Sequence, residues 1–204
     1  MSLMRVITFD LETKNIFQDV GSNDPADLDM SVICIHDSLD DSYKSFLENQ
    51  LKDLWPILEQ ADMLVTWNGD HFDIPIINKY YPGDLSKIKS LDLMKEVRLV
   101  LGRRLKLDTV AQATLGKNKS GNGLEAIEWW NKGEIDKLIY YCIEDVRITR
   151  QLYDYALANR CLKYKDFGAP TGGQSAGGAI KTVKLDTGKW QETEKNAMTF
   201  TLPF

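Results

Sequence analysis

The sequence predicts an α/β protein: a mixed sheet, an antiparallel three-strand meander plus parallel strands, flanked by helices. Three observations carry this. Residues 5–47 hold three short runs with the two-residue alternation of strands. Residues 47–159 hold one further short apolar run among segments whose apolar residues recur at helical spacing. The order of three strands, a helix, a strand and then helices calls for a sheet with helices on its faces.

Arg5 to Glu12 alternates as a strand, with Ile7, Phe9 and Leu11 on one side and Val6, Thr8, Asp10 and Glu12 on the other. Residues 13–29 are polar and acidic with Pro25, a loop. Ser31 to His36 is a second strand, Asp40-Asp41 a turn and Tyr43 to Leu47 a third strand, which makes the meander. Leu47, Leu51, Leu54 and Leu58 space a helix from Leu47 to Gln60. Asp62 opens the short strand DMLVTWNG, ended by Gly69. Phe72 to Tyr81 reads as a helix with Pro75 in its first turn, where a missing N–H is tolerated.

Leu91 to Leu101 and Leu107 to Leu115 read as two more helices, Asp108 being placed to cap the second. Lys117 to Gly123 is a loop, Leu124 to Trp130 a short helix and Glu134 to Asn159 the long one. From Leu162 the composition changes. Gly168 to Gly178 is a flexible linker without a phosphate-loop pattern. Ile180 to Leu185 and Met198 to Leu202, about the turn-like Asp186-Thr187-Gly188, suggest a hairpin. The chain thus divides into a domain over residues 1–160 and an appendage over 161–204 packed on it.

At 204 residues with 43% hydrophobic and 27% charged side chains, the composition is that of a globular protein. No run of ~18 apolar residues predicts a membrane span, and the N-terminus enters a strand pattern with no visible signal peptide. Cys34, Cys142 and Cys161 are odd in number and far apart, which suggests neither a disulfide framework nor a zinc site and points to the cytoplasm. The net charge of −5 opposes nonspecific nucleic-acid binding, but it is unevenly spread. Residues 1–62 carry −9, residues 63–159 carry +1 and residues 160–204 carry +3. The densest basic cluster is Arg103-Arg104-Leu105-Lys106.

The acids carry the chemistry. Asp10 and Glu12, two apart on a strand, leave the same face, and a central strand has no structural use for two like charges there. Asp73, in WNGDHFDIP, shares a helical stripe with Ile76, Ile77 and Tyr80, where an acid in the first turn also complements the helix dipole. His71, two residues earlier, reads as a surface or supporting residue. Asp145 is the sharpest case. Projection of the long helix puts Leu138, Tyr141, Cys142, Asp145, Ile148, Leu152 and Ala156 on one side, and Tyr140, Glu144 and Arg147 on the other. Burying a carboxylate in an apolar stripe costs several kcal/mol unless it meets a cation or strong donors. Acids from three segments, without His or Cys, suit Mg2+ or Mn2+, and a pair of such ions suits displacement at phosphorus.

FDLET (Phe9 to Thr13), NGDHFDIP (Asn68 to Pro75) and YCIED (Tyr141 to Asp145) resemble the three motifs of the DEDD superfamily of 3′–5′ exonucleases, which has a ribonuclease H-like fold. One branch has a His five residues before the last Asp, where this chain has Tyr140. The other has a Tyr four residues before it, where this chain has Tyr141. The sequence therefore resembles the tyrosine (DEDDy) branch, and within it the exonuclease domains of family B DNA polymerases. LKLDTVAQATLG (Leu105 to Gly116) is similar to a helix of that group. The resemblance covers residues 4–160, and no polymerase motifs follow.

The resemblance implies a stand-alone metal-dependent 3′–5′ exonuclease acting on single-stranded DNA or RNA 3′ ends, DNA favoured, and releasing 5′-nucleoside monophosphates. It implies that Asp10 bridges two Mg2+ or Mn2+ ions, that Glu12 and Asp145 complete the first site, and that Asp73 holds the second. Tyr141 would orient the attacking water. Leu11, Thr13, Asn68 and Phe72 would contact the 3′ terminus. The competing readings are a non-catalytic nucleic-acid-binding or partner module of the same fold, and a structure-specific endonuclease.

Overall fold

A computed structural model describes residues 4–117, 121–166 and 178–192. The sheet is built from β1 (Val6–Thr13), β2 (Met30–Asp37), β3 (Ser42–Leu47), β4 (Met63–Thr66) and β5 (Ser90–Asp92), in the order β3-β2-β1-β4-β5. β1, β2 and β3 pair antiparallel, and β4 and β5 add in parallel on the other side of β1. The expected mixed sheet is therefore present, with β1 central and buried on both faces.

Its two-residue alternation has two destinations. Ile7, Phe9 and Leu11 enter a core with Leu54 and Leu58 of α2 (Leu51–Glu59) and with Ile76 and Ile77 of α3 (Asp73–Asn78). The opposite face meets α7 (Ile135–Asn159), where Val32 and Cys34 of β2 pack with Leu138, Tyr141, Cys142 and Val146. A third core joins Val6, Met63 and Val65 to α4 (Leu93–Leu101), α5 (Leu107–Leu115) and the C-terminal half of α7. Each large apolar side chain so buried contributes about 1.5–3 kcal/mol.

Several boundaries differ from the sequence expectation. The loop over 13–29 contains a single helical turn, α1 (Phe17–Val20), and a 3-10 turn at Pro25–Asp27 whose Ala26 amide donates to Asp24. The helix expected from Leu47 starts at Leu51, because Leu47 completes β3 against Val32. The helix expected from Leu91 starts at Leu93. Leu91 pairs with Val65 in β5, and Asp92 caps the helix by accepting from the Met94 and Lys95 amides. The short helix, α6, covers Gly123–Asn131.

The expected strand over 180–185 has a partner that the sequence pattern does not announce. β7 (Ala179–Lys184) pairs antiparallel with β6 (Cys161–Asp166), whereas Met198 to Leu202 and residues 168–177 of the glycine-rich stretch lie outside the described residues. β6 carries little sequence signal, because only Leu162 and Tyr164 point inward, too short an alternation to mark a strand. The pair shares a core with the preceding helices. Leu162, Val183, Leu185 and Trp190 join the third cluster, and Thr114 of α5 both donates to the Lys163 carbonyl and accepts from its amide. Trp190 stacks on Tyr153 at 6.1 Å, and the Lys89 ammonium donates to the Lys189, Trp190 and Glu192 carbonyls. No helix among the described residues is long and apolar enough to cross a membrane.

Trp190 is 4% exposed, so truncation leaves a cavity against Tyr153. Trp190→Ala lowers the unfolding free energy by about 3 kcal/mol, read as a fall in denaturant midpoint; a midpoint equal to wild type would show that the C-terminal segment is not anchored there.

Candidate metal centre and active site

Asp10 and Glu12 leave β1 on the side that faces α7, as the register with Cys34 and Val32 requires. α7 crosses this face, and its Asp145 meets them. Asp10, Glu12 and Asp145 each offer a carboxylate oxygen, and the three atoms lie within 4.8 Å of one another. Oxygens that share one Mg2+ or Mn2+ ion at roughly 2.0–2.6 Å stand no more than about 4–5 Å apart, so this set fits a hard divalent ion. Glu12 is 9% exposed and Asp145 3%, which leaves little bulk water to separate their charges.

The placement of Asp145 follows from how α7 docks. Cys142, one turn earlier, is fully buried, and its thiol donates to the Asp10 carbonyl at 3.3 Å. Burial pushes this thiol well up, so it stays protonated and serves as a donor. Tyr141, one turn before Asp145 on the same face, is 2% exposed, whereas Tyr140 is 61% exposed. The projection separates the two tyrosines as the structure does.

Asp73 opens α3 and is reached from the strand: its Oδ1 accepts from the Leu11 amide at 3.1 Å. It lies outside the group of mutually close oxygens. Burial, aided by the Asp92 and Asp145 charges, pushes its carboxyl up to about 7, against the two amides that lower it. Leu11 itself packs into the core, so what it offers this site is the amide. Thr13 is buried and its hydroxyl donates to the Asn15 carbonyl. Phe72 is half-buried, edge-on to Phe17 at 6.3 Å, a partner that the loop reading of residues 13–29 did not reveal. His71 is exposed.

Asn68 adopts the left-handed region at φ 72, a conformation Asn tolerates. Its amide N–H donates to Asp92 Oδ1 at 2.8 Å, while its buried side-chain Oδ1 has no partner among the described residues. The next residue must be glycine, because a Cβ at Gly69 would overlap the Thr66 side chain. Asp92, which the sequence reading passed over, thus ties Asn68 to the start of α4, and burial pushes its carboxyl up. The only sequence signal for it is a cap-type residue ahead of an apolar helical run.

Asn68 and Tyr141 share a cleft of about 840 Å³ with Trp67, Met94, Arg104 and Lys106. Its apolar lining residues are buried, Arg104 and Lys106 are exposed, and the half-buried Asp108 also lines it. The basic cluster divides: Arg104 and Lys106 face the cleft, while Arg103 bonds Asp166 of β6 at 3.0 Å and lies over the Tyr164 ring. Tyr141, one turn before Asp145 on α7, lines this cleft, whereas Asp10, Glu12, Asp73 and Asp145 are not among its lining residues.

A family model described as RNase_H superfamily matches residues 7–157. DNA polymerases of Thermococcus aggregans and Thermococcus litoralis are 30% and 29% identical in the matched region, which covers 46% of this chain and 7% of each relative. The family B DNA polymerase from the hyperthermophilic archaeon Pyrobaculum calidifontis superposes with a TM-score of 0.59 at 20% identity, over 76% of this chain and 25% of that one. That likeness shows the fold. The chain spans 7% of the length of the curated relatives it matches.

An aspartate that ionises near its ordinary 3.8 when unfolded and near 7 when folded holds its proton preferentially in the folded state between those values. Its contribution to stability is therefore greatest at the acid end and falls as pH rises from about 4 to about 7. The melting temperature of metal-free protein falls across that window, and Asp73→Asn flattens the profile. An equally steep profile in the variant would place the dependence on another group.

Proposed function

The chain belongs to the RNase_H superfamily, and from that membership we propose that it is a metal-dependent 3′–5′ exonuclease on single-stranded nucleic acid, DNA in preference to RNA. The observation that carries the reading is the convergence of Asp10, Glu12 and Asp145, with the buried Tyr141 one turn before Asp145 on α7. Asp10, Glu12, Asp145 and Asp73 would hold two divalent ions, Mg2+ or Mn2+. When bound, these supply Lewis-acid activation of water and neutralise charge on the phosphate.

The chain's own residues have distinct tasks in this reading. The Tyr141 hydroxyl holds and orients the water that attacks the terminal phosphodiester, with release of a 5′-nucleoside monophosphate. Asn68, at the cleft wall, hydrogen-bonds the 3′ terminus, and Phe72 packs against its base, a contact of about 1–3 kcal/mol. Leu11 acts through its amide, which holds Asp73, and Thr13 stands beside it at the end of β1. Arg104 and Lys106 meet the backbone phosphates of the strand lying in the cleft. The relatives named DNA polymerase favour DNA. Residues 161–204 form an appendage to the nuclease domain of residues 1–160.

A 5′-labelled single-stranded oligonucleotide with Mn2+ shortens one nucleotide at a time and yields 5′-monophosphates, faster on DNA than on RNA, while closed circular single strands stay intact. Cleavage of the circle would make the protein an endonuclease; binding without degradation would make it a binding module. Asp10→Ala and Asp145→Ala abolish turnover but not folding, and lose the rise in melting temperature that Mg2+ or Mn2+ gives wild type by mass action.

Tyr141→Phe cuts turnover sharply and Tyr140→Phe does not. Arg104→Ala with Lys106→Ala raises KM and reduces the salt slope by about one for each phosphate left without its cation. An unchanged slope would remove these residues from the strand's path.

A further inference from the structure

We propose that Trp129 of α6 is a positioning residue for Tyr141. The inference rests on the reading of Tyr141 as the group that orients water. A tyrosine hydroxyl lies at the far end of two rotatable bonds, so a modest swing of the ring carries its oxygen off a productive line. α7 fixes the base of the side chain, and the residues packed about its buried ring set where the hydroxyl points.

The Trp129 ring stands edge-on to Tyr141, centroids 5.6 Å apart and planes at 68°. Its neighbour Trp130 lies under the Lys14 ammonium, at 5.2 Å, one residue past the end of β1. Consecutive helical residues diverge by about 100°, so one short helix reaches both the strand that carries Asp10 and Glu12 and the helix that carries Tyr141 and Asp145. α6 is itself pinned. Asn122 Oδ1 accepts from the Leu124 and Glu125 amides, and Glu125 Oε2 accepts from the Asn122 amide at 2.9 Å. The turn that leads into it closes over both rings. A Cβ at Gly121 would stand 3.1 Å from Trp129 Cη2 and 3.5 Å from Tyr141 Cδ2.

Trp129 does not line the cleft where the strand is placed. It lines a separate recess of about 370 Å³ with Asp136, Lys137, Tyr140 and Tyr141. Its effect should therefore fall on turnover through Tyr141 and not on strand binding. Trp129 packs, partly buried, against the core under α7, so melting temperature is read beside turnover to separate packing from positioning.

A double-mutant cycle on the full chain tests this, with kcat and KM measured on a single-stranded oligonucleotide and melting temperatures alongside. Trp129→Ala lowers kcat about 10- to 100-fold with KM unchanged, Trp129→Phe restores most of the loss, and Trp129→Ala in the Tyr141→Phe background is no slower than Tyr141→Phe alone. Trp129→Leu, which keeps apolar bulk without a flat wall, carries the same cycle if the alanine variant does not fold. An equal fold-loss in both backgrounds, or a loss confined to KM, overturns the positioning role. A loss in Tyr141→Phe with none in Trp129→Ala overturns it too and leaves the reading of Tyr141 standing. No loss in Tyr141→Phe overturns that reading and the positioning role with it.

Discussion

Three carboxylates held within 4.8 Å of one another, two of them nearly buried, repel. At the effective dielectric of a protein surface region each ionised pair at this range costs about 3–4 kcal/mol, and desolvation adds to it. A fold that keeps such a group must impose it through contacts elsewhere. Here that constraint is the docking of α7 across β1. Apolar residues on both sides of Asp145 (Tyr141, Cys142, Val146, Ile148) are buried, and the Cys142 thiol meets the Asp10 carbonyl. The helix cannot withdraw Asp145 without withdrawing them.

The same logic explains why β1 is central. A strand at an edge could turn Asp10 and Glu12 to water. With β2 on one side, β4 on the other, and Ile7, Phe9 and Leu11 anchored among α2 and α3, it cannot rotate. Asp73 is drawn in by a single strand amide, that of Leu11. One strand therefore presents two acids by its side chains and steadies a third by its backbone. The acid clustering that costs the metal-free fold is also what would favour a divalent cation there, since a bound ion would reverse the sign of the local electrostatics.

What could be read from the sequence was whatever follows from period alone. The meander, the long helix, the shared face of Asp10 and Glu12, and the inward turn of Asp145 and Tyr141 are all consequences of two-residue and 3.6-residue spacing. What could not be read depends on tertiary neighbours. Asp92 reads as an ordinary cap until the Asn68 amide is found on it. β6 has two inward residues and a partner beyond a glycine-rich stretch. Phe17 lies in an acidic loop with no periodicity, and Trp129 matters only because α6 folds back over α7. The basic cluster was visible as composition, but its division between Arg103 and Arg104 needed β6 in place.

That division bears on how a chain with net charge −5 would meet the nucleic acid of the proposed function. The acidic excess lies in residues 1–62, while Arg104 and Lys106 line the cleft, with Asp108 the one acid in that lining, and local cations there count for more than the total. Arg103 holds the hairpin instead. Its bond to Asp166, which also pairs with Lys181, fastens β6 beside the loop that carries Arg104 and Lys106. Neighbouring cations with separate duties give this wall of the cleft a fixed backing, so in the proposed reading the C-terminal hairpin would bear on strand binding through the loop it braces.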